Sequence, residues 1–96
     1  MATKATIKAA EQVLKSAQAS AYNARNHYRV SQARYDANAA TVAAGGTVKG
    51  WNEISDEDLA EDKAWHERAQ DAMFDAEAAL CAEKMDYADN PRARLG

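Results

Sequence analysis

The sequence contains a single cysteine, Cys81, among 96 residues. One cysteine can form neither an intrachain disulfide nor a cysteine-based metal site, and such sparing use suits a reducing cytosol. No apolar run approaches the roughly 20 residues that span a bilayer, and the first residues lack the apolar core of a secretory signal. We therefore expect a cytoplasmic protein, in the host cytoplasm if a phage encodes it, with no membrane partner.

Residues that break helices are also scarce, because the chain has four glycines and one proline. None of them lies between Ala5 and Ala44, and alanine, the best helix former, is abundant there. Gly45 and Gly46 predict the end of a first helix. The expected organisation is a single domain over 1–96, with helix 1 at about 3–44, a loop at 45–54, helix 2 at about 55–89 and a tail at 90–96.

The predicted helix ends have recognisable caps. Thr3 or Thr6 can accept a hydrogen bond from a free amide at the start of helix 1. Ser55 with Asp58 approximates a capping box, and Ile54 with Leu59 predicts a hydrophobic staple beside it. Asn90-Pro91 predicts the end of helix 2, because the residue before a proline avoids helical backbone angles.

A heptad repeat runs through both predicted helices. In helix 1 it places Ile7, Leu14, Ala21, Tyr28, Tyr35 and Val42 on one line, with small residues three positions further on. In helix 2 it places Leu59, His66, Met73, Leu80 and Tyr87 on one line. The repeat predicts an all-α fold, a long, Ala-rich, coiled-coil-like antiparallel hairpin of two helices.

Helix 2 carries a second apolar stripe about 100° from its heptad line. Its members are Phe74, Ala78, Cys81, Met85 and Ala88. Since one partner helix cannot cover both lines, we expect a homodimer that forms a four-helix bundle, or docking on another protein. Cys81 is expected to be a small core residue. Trp51 is either a partner-binding anchor or a cover over Val42 and Leu59.

Charge is divided unevenly between the two halves of the chain. Residues 1–50 carry seven Lys/Arg and two acids, whereas residues 51–90 carry three Lys/Arg and thirteen acids. An antiparallel arrangement in which opposite residue numbers sum to near 100 would pair the basic half with the acidic half. In this register Tyr35 meets Trp65, and Lys15 meets Glu83 or Asp86.

Helix 2 also presents a line of carboxylates as a candidate partner-binding face. Its members are Glu57, Glu61, Glu67, Asp71 and Asp75. Such a face can imitate the phosphates of DNA and block a DNA-binding enzyme or repressor. The simpler alternative is that these acids cap the helix, pair with helix 1 or face solvent. Direct nucleic-acid binding through Arg25, Arg29 and Arg34 is disfavoured by the net charge of −3.

No residue pattern indicates catalysis, a cofactor or a small-molecule substrate. Asp62 and His66 share a helical face, but the Glu-x-x-His spacing of helical-bundle metal sites is absent. His66 is expected to be a half-buried, hydrogen-bonded histidine near Tyr35. The serines have no base at a suitable spacing, and GGTVKG does not match a phosphate-binding loop. We therefore predict no metal, no cofactor and no enzymatic activity.

These features favour a protein that acts by contact with other proteins. A small adaptor or inhibitor of a larger protein machine is the first expectation, and a phage or mobile-element accessory protein would fit that description. The nucleic-acid-mimicking decoy is one alternative. A structural component of a large assembly, such as a virion, is the other.

Overall fold

The computed structural model describes residues 2–89 and shows an all-α helical hairpin. Helix α1 spans Lys4–Ala43, and helix α2 spans Asp56–Asp89. A short 3-10 helix at Gly50–Asn52 lies in the loop between them. The predicted helix bounds are confirmed to within a residue or two, while the predicted stop at Asn90-Pro91 and the tail lie outside the described residues.

Both N-terminal caps form as the sequence indicates. Thr3 and Thr6 make reciprocal hydrogen bonds, with the Thr6 amide donating to Thr3 Oγ1 at 3.2 Å and the Thr3 amide to Thr6 Oγ1 at 2.7 Å. At α2 the Asp58 amide donates to Ser55 Oγ at 3.0 Å, and the Ser55 amide donates to Asp58 at 3.4 Å. Each box satisfies amides that the first helical turn leaves free.

Helix α1 ends in a Schellman motif at the two glycines. The Gly46 amide donates to the Thr41 carbonyl at 2.9 Å, and the Gly45 amide donates to the Val42 carbonyl at 3.0 Å. Gly45 has φ +83°, a left-handed conformation that a side chain would strain. A Cβ at Gly46 would lie 2.9 Å from Thr41 Cγ2 and 3.1 Å from the Thr41 carbonyl oxygen. Glycine is therefore favoured at both positions, by the backbone conformation at Gly45 and by the crowding against Thr41 at Gly46.

The chain forms two compact units, and each contains a part of both helices. The terminal unit comprises Met1–Ala21 with Ala69–Gly96, and the loop unit comprises Tyr22–Arg68. In the terminal unit the start of α1 packs antiparallel to the end of α2. In the loop unit the end of α1 packs antiparallel to the start of α2.

The heptad repeat correctly predicts which side of each helix faces its partner. In α1 every member of the line from Ile7 to Tyr35 is buried or half-buried, as are the small residues three positions on. In α2 the line from Leu59 to Tyr87 is buried or half-buried, with the buried Ala69 and Ala76 beside it. Much of the buried surface comes from alanine, which lets helices pack closely.

Val42 departs from this pattern, because it is 63 % exposed although it continues the heptad line of α1. The second half of the loop runs back beside α1, where the Asn38 side-chain amide donates to the Asn52 carbonyl at 2.7 Å. Helix α2 consequently begins near Tyr35, whose hydroxyl donates to Asp56. No helix is left to face Val42 in the loop unit.

The same loop path makes the predicted register wrong. Opposite residue numbers sum to about 90 instead of about 100. In the terminal unit the Ala2 amide donates to Asp86 at 2.7 Å and the Thr6 hydroxyl lies 2.9 Å from Glu83 Oε2, where Lys15 was expected. In the loop unit Tyr35 contacts Asp56 instead of Trp65.

The predicted pairing of basic and acidic helices is not observed either. Within residues 2–89 the single contact closer than 4.0 Å between a basic and an acidic side chain joins His27 Nε2 to Asp62 Oδ1 at 3.2 Å. The Lys and Arg side chains described make no such contact. In the described part of the chain, direct contacts of Lys or Arg with carboxylates therefore do not join the helices.

Within residues 2–89, no helix combines the length and apolarity that crossing a membrane requires.

Candidate protein-interaction surfaces

The apolar stripe of α2, defined as Phe74, Ala78, Cys81, Met85 and Ala88, lies on the surface of the terminal unit. All five residues are exposed. Phe74 is 51 % and Met85 60 % exposed, so two of the largest apolar side chains of α2 face solvent. Burying a large apolar side chain stabilises a complex by about 1.5–3 kcal/mol. Covering the stripe with a binding partner is therefore expected to lower the free energy of the system.

A groove of about 410 Å³ adjoins the stripe within the terminal unit. Leu14 of α1 and Leu80, Cys81, Met85 and Ala88 of α2 supply its apolar lining. Two charged residues, Glu77 and Lys84, also line it. The groove has the size and the mixed lining of a site for protruding side chains.

The prediction that Cys81 is a core residue is wrong, because Cys81 is exposed. It lies on the stripe side of α2, next to the buried Leu80 of the heptad line. The heptad line is the side that faces α1, so a residue one position away turns toward solvent. Cys81 therefore belongs to the apolar stripe.

Trp51, in the short 3-10 helix of the loop unit, is 79 % exposed. It does not cover Val42 and Leu59, so that alternative is not observed. A second groove, of about 430 Å³, lies in the same unit between Tyr35, Val42 and Ile54. The loop therefore leaves both an aromatic side chain and an apolar depression open to a partner.

The five residues of the predicted acidic face are all exposed. Glu57 belongs, with Asp56 and Asp58, to the first turn of α2, where the helix dipole favours negative charge. Within residues 2–89 none of the five lies within 4.0 Å of a basic side-chain nitrogen. The expectation that the middle acids pair with helix 1 is therefore wrong for the described chain, and these carboxylates face solvent.

A polar cluster in the loop unit was not predicted from the sequence. The buried Ser31 hydroxyl donates to Asp62 Oδ2, and His27 Nε2 lies 3.2 Å from Asp62 Oδ1. The His27 and Trp65 rings also make an edge-type contact, with centroids 5.6 Å apart and planes 64° from parallel. Ser31 and His27 are four residues apart in α1, and Asp62 lies on the side of α2 that faces α1, three positions after Leu59. This spacing in the sequence could have predicted that the three polar side chains lie on facing sides of the two helices.

This cluster holds residue types found in hydrolase triads, but its connectivity differs. Asp62 accepts the Ser31 hydroxyl directly, whereas a nucleophilic serine requires its hydroxyl to donate to a histidine. The carboxylate at the centre accepts the hydrogen bond of a buried hydroxyl and lies beside an imidazole, both from α1. The arrangement joins α1 to α2 next to the ring contacts of His27 with Trp65 and of Tyr28 with His66.

His66 is half-buried, as expected, but its neighbour is Tyr28 instead of Tyr35. The two rings stack with centroids 5.7 Å apart and planes 24° from parallel. Its Nδ1 atom is buried and has no hydrogen-bond partner among the described residues. The expected hydrogen bond at that atom is absent, and the stack provides the contact that holds the ring.

Asp62, which shares a predicted helical face with His66, contacts Ser31 and His27 of α1. No group of three or more His, Cys, Asp or Glu residues suited to a metal occurs in residues 2–89. The exposed apolar stripe and its groove are accordingly the most developed candidate site. No protein-family model, curated protein or solved structure matches this chain.

Proposed function

We propose that this chain is a non-catalytic protein-interaction protein, a small adaptor or inhibitor that binds a larger protein machine and self-associates as a homodimer. The observation that supports this proposal is the apolar stripe, which leaves Phe74 and Met85 more than half exposed beside an apolar groove. Exposed apolar area of this kind, flanked by charged residues, is typical of protein–protein interfaces. Trp51 is a second candidate anchor, on the loop unit.

The stripe can be tested with variants that keep the helix. Ser substitutions at Phe74 and Met85 remove the apolar contacts, and we expect loss of self-association and of partner binding with α-helicity retained. Val30→Ser is the matched control, because Val30 is 59 % exposed and lies in α1 away from the stripe. Binding is measured with a partner identified by affinity capture and then purified. Unchanged interactions in the stripe variant would contradict the proposal.

A second candidate function is the acidic decoy, favoured by the solvent-facing carboxylates of the acidic face. A decoy competes with DNA for a basic groove, and its binding weakens steeply with salt. Asp71→Asn with Asp75→Asn should then weaken capture of a DNA-binding protein, whereas the matched changes Glu11→Gln and Asp36→Asn in α1 should not. Salt-insensitive capture that survives the Asn substitutions would reject the decoy. The role of a structural component in a large assembly, such as a virion, stays a prediction.

A further inference from the structure

Two charged residues beside the apolar stripe, Glu77 and Lys84, have no oppositely charged neighbour on their own helix face. Glu77 and Lys84 both line the stripe's groove. Lys84 is the single Lys or Arg of α2 within residues 69–89, in a segment that otherwise carries acids. Neither charge has an opposite charge three or four residues away on its own helix, because those neighbours are Met, Phe, Leu, Cys, Tyr and Ala. Each therefore lacks the within-helix pairing that usually stabilises exposed charges.

The stripe itself has the spacing of a second heptad line. Its members lie alternately four and three residues apart, so Phe74 and Cys81 take one core position and Ala78 and Met85 the other. Glu77 and Lys84 then both occupy the flanking position just before Ala78 and Met85. Equivalent flanking positions meet across an antiparallel helix pair, and there one copy's Glu77 would face another copy's Lys84.

From this pattern we infer that the occupant of the stripe is a second copy of this chain, with its α2 antiparallel to the first. The register that pairs Ala78 with Cys81 also pairs Phe74 with Met85, which places an aromatic ring against a thioether. In the same register Glu77 and Lys84 of opposite copies lie within about two residues of being level, some 3 Å along the axis. Twofold symmetry forms each contact twice, so the surface is self-complementary.

This inference rests on the proposed function of the stripe as a protein-binding surface and names its partner.

Charge reversal tests the inference directly. Glu77→Lys and Lys84→Glu each replace two attractive pairs in the dimer with two repulsive ones, and we expect either change to raise the dimer Kd about tenfold. The double variant Glu77→Lys/Lys84→Glu restores opposite charges and should return the Kd close to that of the original chain. Sedimentation equilibrium measures the Kd, and circular dichroism checks that helicity is kept. Glu61→Lys, an exposed reversal outside the stripe, is the control and should leave the Kd unchanged.

Cross-linking supplies a second, independent measurement of orientation. In the inferred register the two Cys81 side chains lie close to the twofold axis, so a short bis-maleimide should link the unmodified chain into dimers. Moving the cysteine with Cys81→Ala/Ala88→Cys separates the two thiols by about 25 Å along an antiparallel pair, and the link should be lost. Efficient linking at position 88 would indicate parallel helices and overturn the inference.

Two further outcomes would also overturn it. One is a dimer whose Kd is unchanged by either single charge reversal, or whose raised Kd does not return to the original value in the double variant. The other is a chain that stays monomeric at about 100 µM, well above the Kd range of specific dimers. In the monomeric case the proposed function is judged separately, by whether Phe74→Ser/Met85→Ser abolishes binding to a purified heterologous partner.

Discussion

The terminal unit and the loop unit share one heptad pattern but are stabilised by different contacts. In the terminal unit the buried residues are apolar, namely Ala2, Ala21, Ala69, Ala76 and Leu80. In the loop unit the buried residues are Ala24 and Ser31, and the buried Ser31 hydroxyl bonds Asp62 of the other helix. The terminal unit also has polar contacts between its helices, but they come from the Ala2 amide and the exposed Thr6 hydroxyl at the start of α1. Alanine packing permits close approach at many registers, whereas a buried hydroxyl and its acceptor must meet at one. We therefore expect the loop unit to restrict the register more tightly and the terminal unit to contribute more apolar surface.

The largest expected effect is in the terminal unit. Leu80→Ala removes the largest buried apolar side chain and should lower the free energy of unfolding by about 2–3 kcal/mol. Leu59→Ala in the loop unit is the matched change, and it should cost about 1 kcal/mol because Leu59 is only half-buried. Urea unfolding at one fixed, low protein concentration measures both. Equal losses of unfolding free energy in the two variants would show that the terminal unit does not depend on apolar packing more than the loop unit does.

The next effect tests the polar contacts of the loop unit. Asp62→Ala leaves the buried Ser31 hydroxyl without its acceptor and should cost about 1–2 kcal/mol. The double variant Ser31→Ala/Asp62→Ala should cost little more than Ser31→Ala alone, because the unsatisfied hydroxyl is then gone. Urea denaturation of the three variants gives the coupling energy. Simple additivity would mean that the two side chains do not stabilise the unit together.

A smaller effect of opposite sign is expected at His66. His66→Phe keeps a ring against Tyr28 and removes a buried nitrogen that has no partner, so it should stabilise the chain by up to about 1 kcal/mol. Thermal unfolding followed by circular dichroism measures the change, with His27→Phe as the control that instead removes the contact with Asp62. Destabilisation by His66→Phe would show that the imidazole contributes a contact that stacking does not replace.

The smallest effect is a titration at the start of α2. The hydrogen bond to Asp56 and the charge of that carboxylate raise the pKa of Tyr35 above its usual value near 10. Because the folded pKa is the higher one, this contact contributes its full stability below the unfolded pKa of tyrosine. The contribution is lost as the pH rises through the folded pKa.

Asp56→Asn should therefore lower the pKa of Tyr35, as measured by the ultraviolet absorbance of tyrosinate. Glu57→Gln makes the same change of charge in the same helical turn without touching Tyr35, and it is the control. An equal pKa of Tyr35 in the original chain and in both variants would show that Asp56 does not accept a hydrogen bond from the Tyr35 hydroxyl.

Local features of this molecule could be predicted from the sequence, whereas features that depend on the path of the loop could not. The helix end at Gly45 and Gly46, the Ser55 box and the two heptad lines follow from local spacing, and all are confirmed except for Val42 at the end of the first line. The exposure of Val42 and the pairing of Asp62 with Ser31 do not, because each depends on how the loop returns along α1. The exposure of Cys81 could not be predicted from the sequence either. Its apolar neighbours fit a buried or an exposed position, and only the placement of α1 decides between them.

By itself the sequence determined two long helices, their ends, and the side on which each faces the other, because capping and helical periodicity act over a few residues. Tertiary structure alone decided the register, the polar cluster and the surfaces left open. Alanine contacts differ little in free energy from one register to another, so the path of the loop and a few hydrogen bonds between the helices select among them.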